Sequence, residues 1–371
     1  MPSLTRHPGM SREKRIERGV PSMPTGRSTV TAIVTAYNYG RFLAECAHSV
    51  LTQRDVDVRL IIVDDCSTDD TPLVTAELGR DPRVTVIRNE PNLGQIPSVN
   101  MALERVESEY VMKLDADDLL TPDSLARSTA LLEAHPRIGF VYGRPLHFSG
   151  PVPAMASTPA KSWTVWAGHD WVAGRCRSGY NVISQPEVVM RTAALRAAGP
   201  VRADLPHTFD MHLWIQLASM GNVGRINGPA QGLYRVHDAS LQRTIHAGAL
   251  FDLRGRRDAF DAAFAAAAGT IPGARELHET ARRNLAAVAL DRACRAYDRG
   301  QTCEQPVDEL VSFALETCPG ARQLREWRAL ERRRYVGAKR AQRHPRFFAA
   351  ALARRSAEEL GHWLWLRTGE Q

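Results

Sequence analysis

The sequence predicts an α/β fold with a mostly parallel sheet, followed by a helical C-terminal region. Three observations carry this. From Thr29 onward, short β-branched apolar runs alternate with amphipathic segments through short links, the pattern of parallel strands joined by right-handed crossovers with helices on both faces. Three of those runs end in polar residues: Thr35-Ala36-Tyr37, Asp64-Asp65 and Asp115-Ala116-Asp117-Asp118. From about Ala247 the composition shifts to Ala, Arg, Leu and Glu. The expected units are a disordered basic tail over 1–28, an α/β domain over 29–245 and a helical region over 246–371.

The tail is rich in Arg, Ser, Pro and Gly, with room for a short helix around Arg12–Arg18. Thr29–Thr35 is continuously β-branched and apolar, hence a buried strand. A helix over Arg41–Thr52 follows, with Leu43, Ala47, Val50 and Leu51 on one face. Val58–Asp65 is a second strand, and CSTDDTP caps a helix over Pro72–Arg80. Arg83–Asn89 is a third strand, and PNLGQIPSVNMALERV opens a third helix. The stretch Tyr110–Leu120, YVMKLDADDLL, is a strand running into acid; a helix over Asp123–Ala134 and a strand over Ile138–Tyr142 complete the series.

Residues 144–182 are less regular. Trp163, Trp166 and Trp171 pack a satellite core or form a platform for a sugar. Ile183–Arg191 reads as a strand into a turn and TAALRAAG as a short helix. His207–Gly221 is a helix that buries Leu213, Trp214, Leu217 and Met220 and carries Asp210 in its first turn; strands then run to His237. Beyond Ala247, two segments form an antiparallel helix pair similar to a tetratricopeptide unit. Arg346–Thr368 sets Phe, Leu and Trp among basic residues. Such a helix packs on its own protein, joins a homodimer, or lies peripherally on an anionic membrane.

A chain of 371 residues with 44% hydrophobic and 24% charged residues can bury a sizeable core. The net charge of +7 admits phosphorylated substrates or an anionic surface; without zinc-finger spacing, and with arginines spread through helices and tails, nucleic acid is not expected as a partner. The six cysteines form no CxxC pair, which points to a reducing, cytoplasmic setting. The sequence reads without a transmembrane run or secretory leader.

Aspartates form strands poorly and are costly to bury unpaired. Three at the mouth of a strand point to a held cation, and hard oxygen ligands at Asp115 and Asp117 suit Mg²⁺ or Mn²⁺. The other reading is that they cap the next helix.

TAYNYGRFL, IIVDDCSTDDT, NLG, LDADD, DMHLW and YRVHDAS occur in that order across Thr29–Ser240. Together they resemble the inverting glycosyltransferases of family 2, with the GT-A fold. The resemblance implies that Thr35, Ala36 and Tyr37 hold the base and ribose of a nucleotide-sugar donor, a UDP-sugar. It implies that Asp65 accepts a ring N–H of the base, with Asp64 as its rival. Asp115 and Asp117 would bind ribose and the divalent metal, and His237 the metal or diphosphate, unless it is an ordinary surface histidine. Asp210 would be the general base, unless it merely caps its helix; the family often has Glu before it, and here stands Phe209. The resemblance names no acceptor: a glycan, a peptide or a small metabolite would serve. A sugar-1-phosphate nucleotidyltransferase is disfavoured by the single glycine of AYNYGRF, and a non-catalytic sugar-nucleotide scaffold by the intact acids.

Overall fold

The computed structural model describes residues 15–17, 27–237, 248–267 and 269–368. Its strands are β1 (Arg15–Glu17), β2 (Ser28–Ala36), β3 (Val56–Asp64), β4 (Val84–Arg88), β5 (Tyr110–Asp115), β6 (Leu119–Leu120), β7 (Ile138–Tyr142), β8 (Pro145–Phe148), β9 (Ser162–Trp166), β10 (Val189–Arg191), β11 (Asn222–Asn227) and β12 (Gly232–Arg235). Between them lie helices α1 (Gly40–Leu51), α2 (Thr71–Leu78), α3 (Gln95–Leu103), α4 (Ser124–Ala134), α5 (Gly168–Ser178), α6 (Thr192–Ala198) and α7 (Phe209–Met220). The C-terminal region supplies α8 (Ala249–Ala266), α9 (Ala274–Arg299), α10 (Val307–Thr317), α11 (Arg325–Val336), the short α12 (Ala338–Ala341) and α13 (Pro345–Thr368).

The main sheet runs β1-β9-β11-β7-β10-β5-β2-β3-β4. Strands β5, β2, β3 and β4 are parallel, as expected, and so are β7 and β11. The sheet is mixed beyond them, within the mostly parallel plan expected: β10 runs antiparallel to both β5 and β7, and β9 antiparallel to β11. Strand β10 is three residues long and arrives from a one-turn 3-10 segment, Gln185–Glu187, rather than from a crossover helix. The described residues of the N-terminal segment are also unlike the expected helix: Arg15–Glu17 is extended and pairs with β9.

Strand β2 is buried on both faces, as a continuous apolar run requires. Val30, Ala32 and Val34 pack with Leu43, Leu60, Ile62 and Leu125 on one side. Ile33 packs on the other with Ile61, Val111, Phe140 and Trp214. That second core continues without a break into Phe260, Leu285, Leu290 and Phe313 of α8–α10. The C-terminal helices are therefore one wall of the interior, with α9 against α5 and α8 against α7. Trp163, Trp166 and Trp171 are buried, which settles them as core side chains rather than a platform. Met220, expected inside, is 47% exposed at the last position of α7.

A small second sheet, β6-β12-β8, crosses the C-terminal edge of the main one. Because β12 pairs with β6, the turn that follows β5 and the segment that follows β12 come together. Among the described residues no helix is long and apolar enough to cross a membrane.

Helix α13 is tied to the rest by charge. Asp298 on α9 accepts from Arg333 Nε at 2.7 Å and from Arg354 Nη2 at 2.6 Å, with Asp298 and Arg333 almost fully buried. Removing the shared carboxylate strands two arginines, a change that costs about 3–5 kcal/mol at buried pairs. We expect Asp298→Ala to lower unfolding stability by about 3 kcal/mol, read from denaturant midpoints.

Candidate functional site

The parallel register sets Thr35 beside Val63 and Asp115, and Ala36 beside Asp64, so the polar strand ends share one edge. The loops beyond them are laced together. Asn38, in the left-handed region at φ 60°, accepts the Thr68 N–H at 2.8 Å, and its own N–H donates to Ser67 Oγ at 3.0 Å. Gly40 donates to Asp69 Oδ2 at 3.1 Å, and a Cβ there would lie 2.7 Å from Thr71 N. Tyr37 is 48% exposed on this frame; Thr35 is buried, and its hydroxyl has no partner among the described residues.

Both acids at the end of β3 are buried and hydrogen-bonded. Asp64 accepts the Ser67 N–H at 2.9 Å and Arg88 Nη1 at 3.2 Å. Asp65 accepts the N–H groups of Leu93 and Gly94, each at 2.8 Å, and Asn89 Nδ2 at 2.7 Å. The Asp65 carboxylate thus moulds the Asn92–Gly94 loop, a duty the sequence did not announce. Gly94 takes φ 87°, where a side chain would be strained.

Next in the chain, Gln95 Nε2 donates to Asp115 Oδ1 at 2.9 Å, and the Lys113 ammonium donates to the same oxygen. Two residues on, Asp117 Oδ2 meets His237 Nε2 at 2.9 Å. Asp118 turns inward, and its Oδ1 accepts the Arg235 N–H at 2.9 Å. Arg235 also donates from Nε to the Asp117 carbonyl at 2.9 Å and from Nη2 to Glu45 at 2.7 Å, between the rings of Phe42 and Phe148. None of these three aspartates caps α4, whose first turn is held by Thr121 O and Gln53.

On the other side of Lys113, whose ammonium lies 5.7 Å from the Phe209 ring centre, is Asp210 in the first turn of α7. Its Oδ1 accepts the Met211 N–H at 2.7 Å and its Oδ2 accepts Asn181 Nδ2 at 2.7 Å. Burial pushes the Asp210 carboxyl up to about 6, against the opposing pull of the Met211 N–H, Asn181 and Lys113. The Asn181 loop is held by the C-terminal helices: Arg256 of α8 donates to Gly179 O at 3.1 Å and lies 4.2 Å over the ring of Tyr180.

Among the described residues no three His, Cys, Asp or Glu side chains are gathered as a metal cage. The expected set of Asp115, Asp117 and His237 is not closed: His237 touches Asp117, while Asp115 faces Lys113 and Gln95. The donor chemistry nonetheless fits a hard cation. Burial and the neighbouring Asp115 push the Asp117 carboxyl up, and burial with both neighbours pushes Asp118 well up. Asp118 Oδ2 and His237 Nδ1 are buried without a partner among the described residues. Crowded acids of this kind are relieved by positive charge.

The site therefore gathers Thr35, Ala36, Tyr37, Asp64, Asp65, Asp115, Asp117, His237 and Asp210 at one edge of the sheet, linked through Gln95 and Lys113. The residues beyond His237 in YRVHDAS lie outside the described ones. Lys113, Gln95, Asn181 and Arg256 were not foreseen. A lone lysine inside the apolar run YVMKLD was the available signal for the first; the others carry none.

Residues 31–186 match the family model described as glycosyl transferase family 2. An uncharacterized glycosyltransferase of Haemophilus influenzae is 26% identical over 213 residues, 56% of this chain and 65% of its own length. The chain spans less than two thirds of the length of the curated relatives it matches. Among solved structures, residues 1–349 of S. aureus TarS in complex with UDP-GlcNAc superpose with a TM-score of 0.58 at 16% identity, covering 83% of this chain and 91% of that one. The mannosyltransferase PcManGT of Pyrobaculum calidifontis, in complex with GDP-Man and Mn²⁺, gives 0.54 at 21% identity, covering 86% and 88%. The fold is that of the GT-A glycosyltransferases.

Asn181 steadies the charged form of Asp210, and a hydrogen bond to a charge contributes about 1.5–3 kcal/mol. In Asn181→Leu the Asp210 carboxyl should titrate at least about one pH unit higher than in the parent. Carbon-13 NMR titration of labelled aspartate reads this directly; an unmoved midpoint would show that Asn181 does not tune Asp210.

Proposed function

Through residues 31–186 this chain is related to glycosyltransferase family 2, and from that premise we propose that it moves a sugar from a nucleotide-diphosphate donor, a UDP-sugar, to an acceptor with inversion at the anomeric carbon. The observation that carries the reading is the meeting of two acidic groups around Lys113, with burial raising both Asp117 and Asp210. Asp115 and Asp117 form an electronegative patch, and Asp210 stands apart from it across Lys113, with its carboxyl raised to about 6.

Tyr37 offers an exposed ring beside the Ala36 backbone for the base and ribose. Asp64 and Asp65 shape the loops on either side of that position, and Asp65 retains lone-pair capacity for a ring N–H. Asp117 and Asp115, with His237 beside them, would hold a divalent cation, which when bound supplies charge stabilisation to the departing diphosphate. Asp210 is the base. It accepts the proton of the acceptor hydroxyl as that oxygen bonds to C1; the C1–O bond to the diphosphate breaks, and its electron pair leaves with the nucleotide. Near neutral pH Asp210 is mostly ionised yet more basic than an ordinary carboxylate, as a base should be. Turnover should therefore rise with pH through about 6 and flatten above it.

The test is donor turnover. With UDP-sugars and Mn²⁺ or Mg²⁺, the protein should release UDP; pyrophosphate formed from UTP and a sugar phosphate would instead identify a nucleotidyltransferase. Asp210→Asn should cut transfer by about 10²–10⁴-fold while leaving UDP affinity nearly unchanged. Asp117→Ala should weaken UDP binding only when metal is present. Near-normal kcat in Asp210→Asn would remove the base, and equal weakening in EDTA would remove the metal role.

A further inference from the structure

Residues 322–355 hold twelve of the chain's 48 Lys and Arg residues but only two of its 41 acids. The remainder of the chain carries more acid than base, so the basic character is local. Within that segment Lys339, Arg340, Arg343 and Arg346 are exposed, and their side chains meet no carboxylate among the described residues. Apolar side chains stand among them: Tyr335 is 94% exposed, Phe348 71% and Leu352 58%. The backbone that presents them is fixed from behind. Phe347, next to Phe348, is buried under Arg333 at 4.3 Å, and Arg354 is locked to Asp298.

We propose that this corner, from the end of α11 to the first turns of α13, docks the protein on an anionic lipid surface. Phenyl and leucyl side chains enter the boundary between headgroups and acyl chains, while lysine and arginine meet lipid phosphates. Attraction of unpaired cations to an anionic leaflet adds up residue by residue and fades with salt. Nucleic acid would engage the cations but gives Leu352 no role. A symmetric contact with a second copy would set this cluster of like charges near its own image. The surface is separate from the acidic edge described above, so the inference stands or falls without the proposed activity.

The experiment is sedimentation of the full chain with phosphatidylcholine vesicles, with and without phosphatidylglycerol. Binding should be at least about tenfold tighter to the anionic vesicles and should weaken with salt. The quadruple variant Lys339→Gln/Arg340→Gln/Arg343→Gln/Arg346→Gln should lose that preference. Phe348→Ser/Leu352→Ser should weaken binding about tenfold while keeping the salt dependence. All six positions are exposed, and an unchanged thermal midpoint checks that the variants fold. Equal affinity for both vesicles, or none for either, overturns the proposal. So does RNA that displaces the protein from vesicles, or a dimer abolished by Phe348→Ser/Leu352→Ser.

Discussion

Arg235 is the side chain on which the acidic edge depends. It joins α1, the turn after β5 and the end of β12 through three hydrogen bonds and two aromatic faces. A guanidinium this buried is costly unless its donors are satisfied. Here the partners come from Glu45, Asp117 and Gly150, while the Arg235 N–H reaches one oxygen of Asp118 and leaves the other open. The consequence is positional: two residues further on, His237 lies against Asp117. The small sheet, the orientation of the acids and the placement of the histidine are thus one arrangement.

A second constraint runs through Lys113. It sits in the interior face of a central strand, yet it has an acid on each side of it. Asp115 takes its proton contact, and Asp210 feels its charge. This cation stands beside both an electronegative patch and a buried carboxylate whose proton affinity is raised. The two acidic groups still feel each other, since the Asp115 charge raises the Asp210 carboxyl while Lys113 lowers it.

Much of this architecture was legible before any coordinates. The strands β2, β3 and β5 read clearly because apolar runs buried on both faces leave a continuous sequence pattern, and their polar ends mark the ligand edge of a parallel sheet. Strand β10 was read within Ile183–Arg191, but its short extent and antiparallel direction were not, since three residues carry no period and orientation is set by what lies on either side. Asn181 was invisible for a different reason. Its partner is 29 positions away in the chain, on α7, and no local pattern betrays an amide that meets a carboxylate through folding. The same applies to Arg256, whose role exists only because α8 folds back over the loop before Asn181. The tryptophans were ambiguous by composition and became core by topology: Trp166 and Trp171 join the interior lined by α7 and α9, and Trp163 the core on the opposite face of the sheet.

The interlocked loops at Asn38–Gly40 and Ser67–Thr71 leave no space for a side chain at Gly40, while Tyr37 just ahead of them projects from the frame. Variation is channelled accordingly. A change at position 40 would pry two loops apart and disturb everything they carry. A change at position 37 would alter an exposed side chain and leave the frame intact. The scaffold thereby sets a position free to vary directly beside one where variation risks the fold.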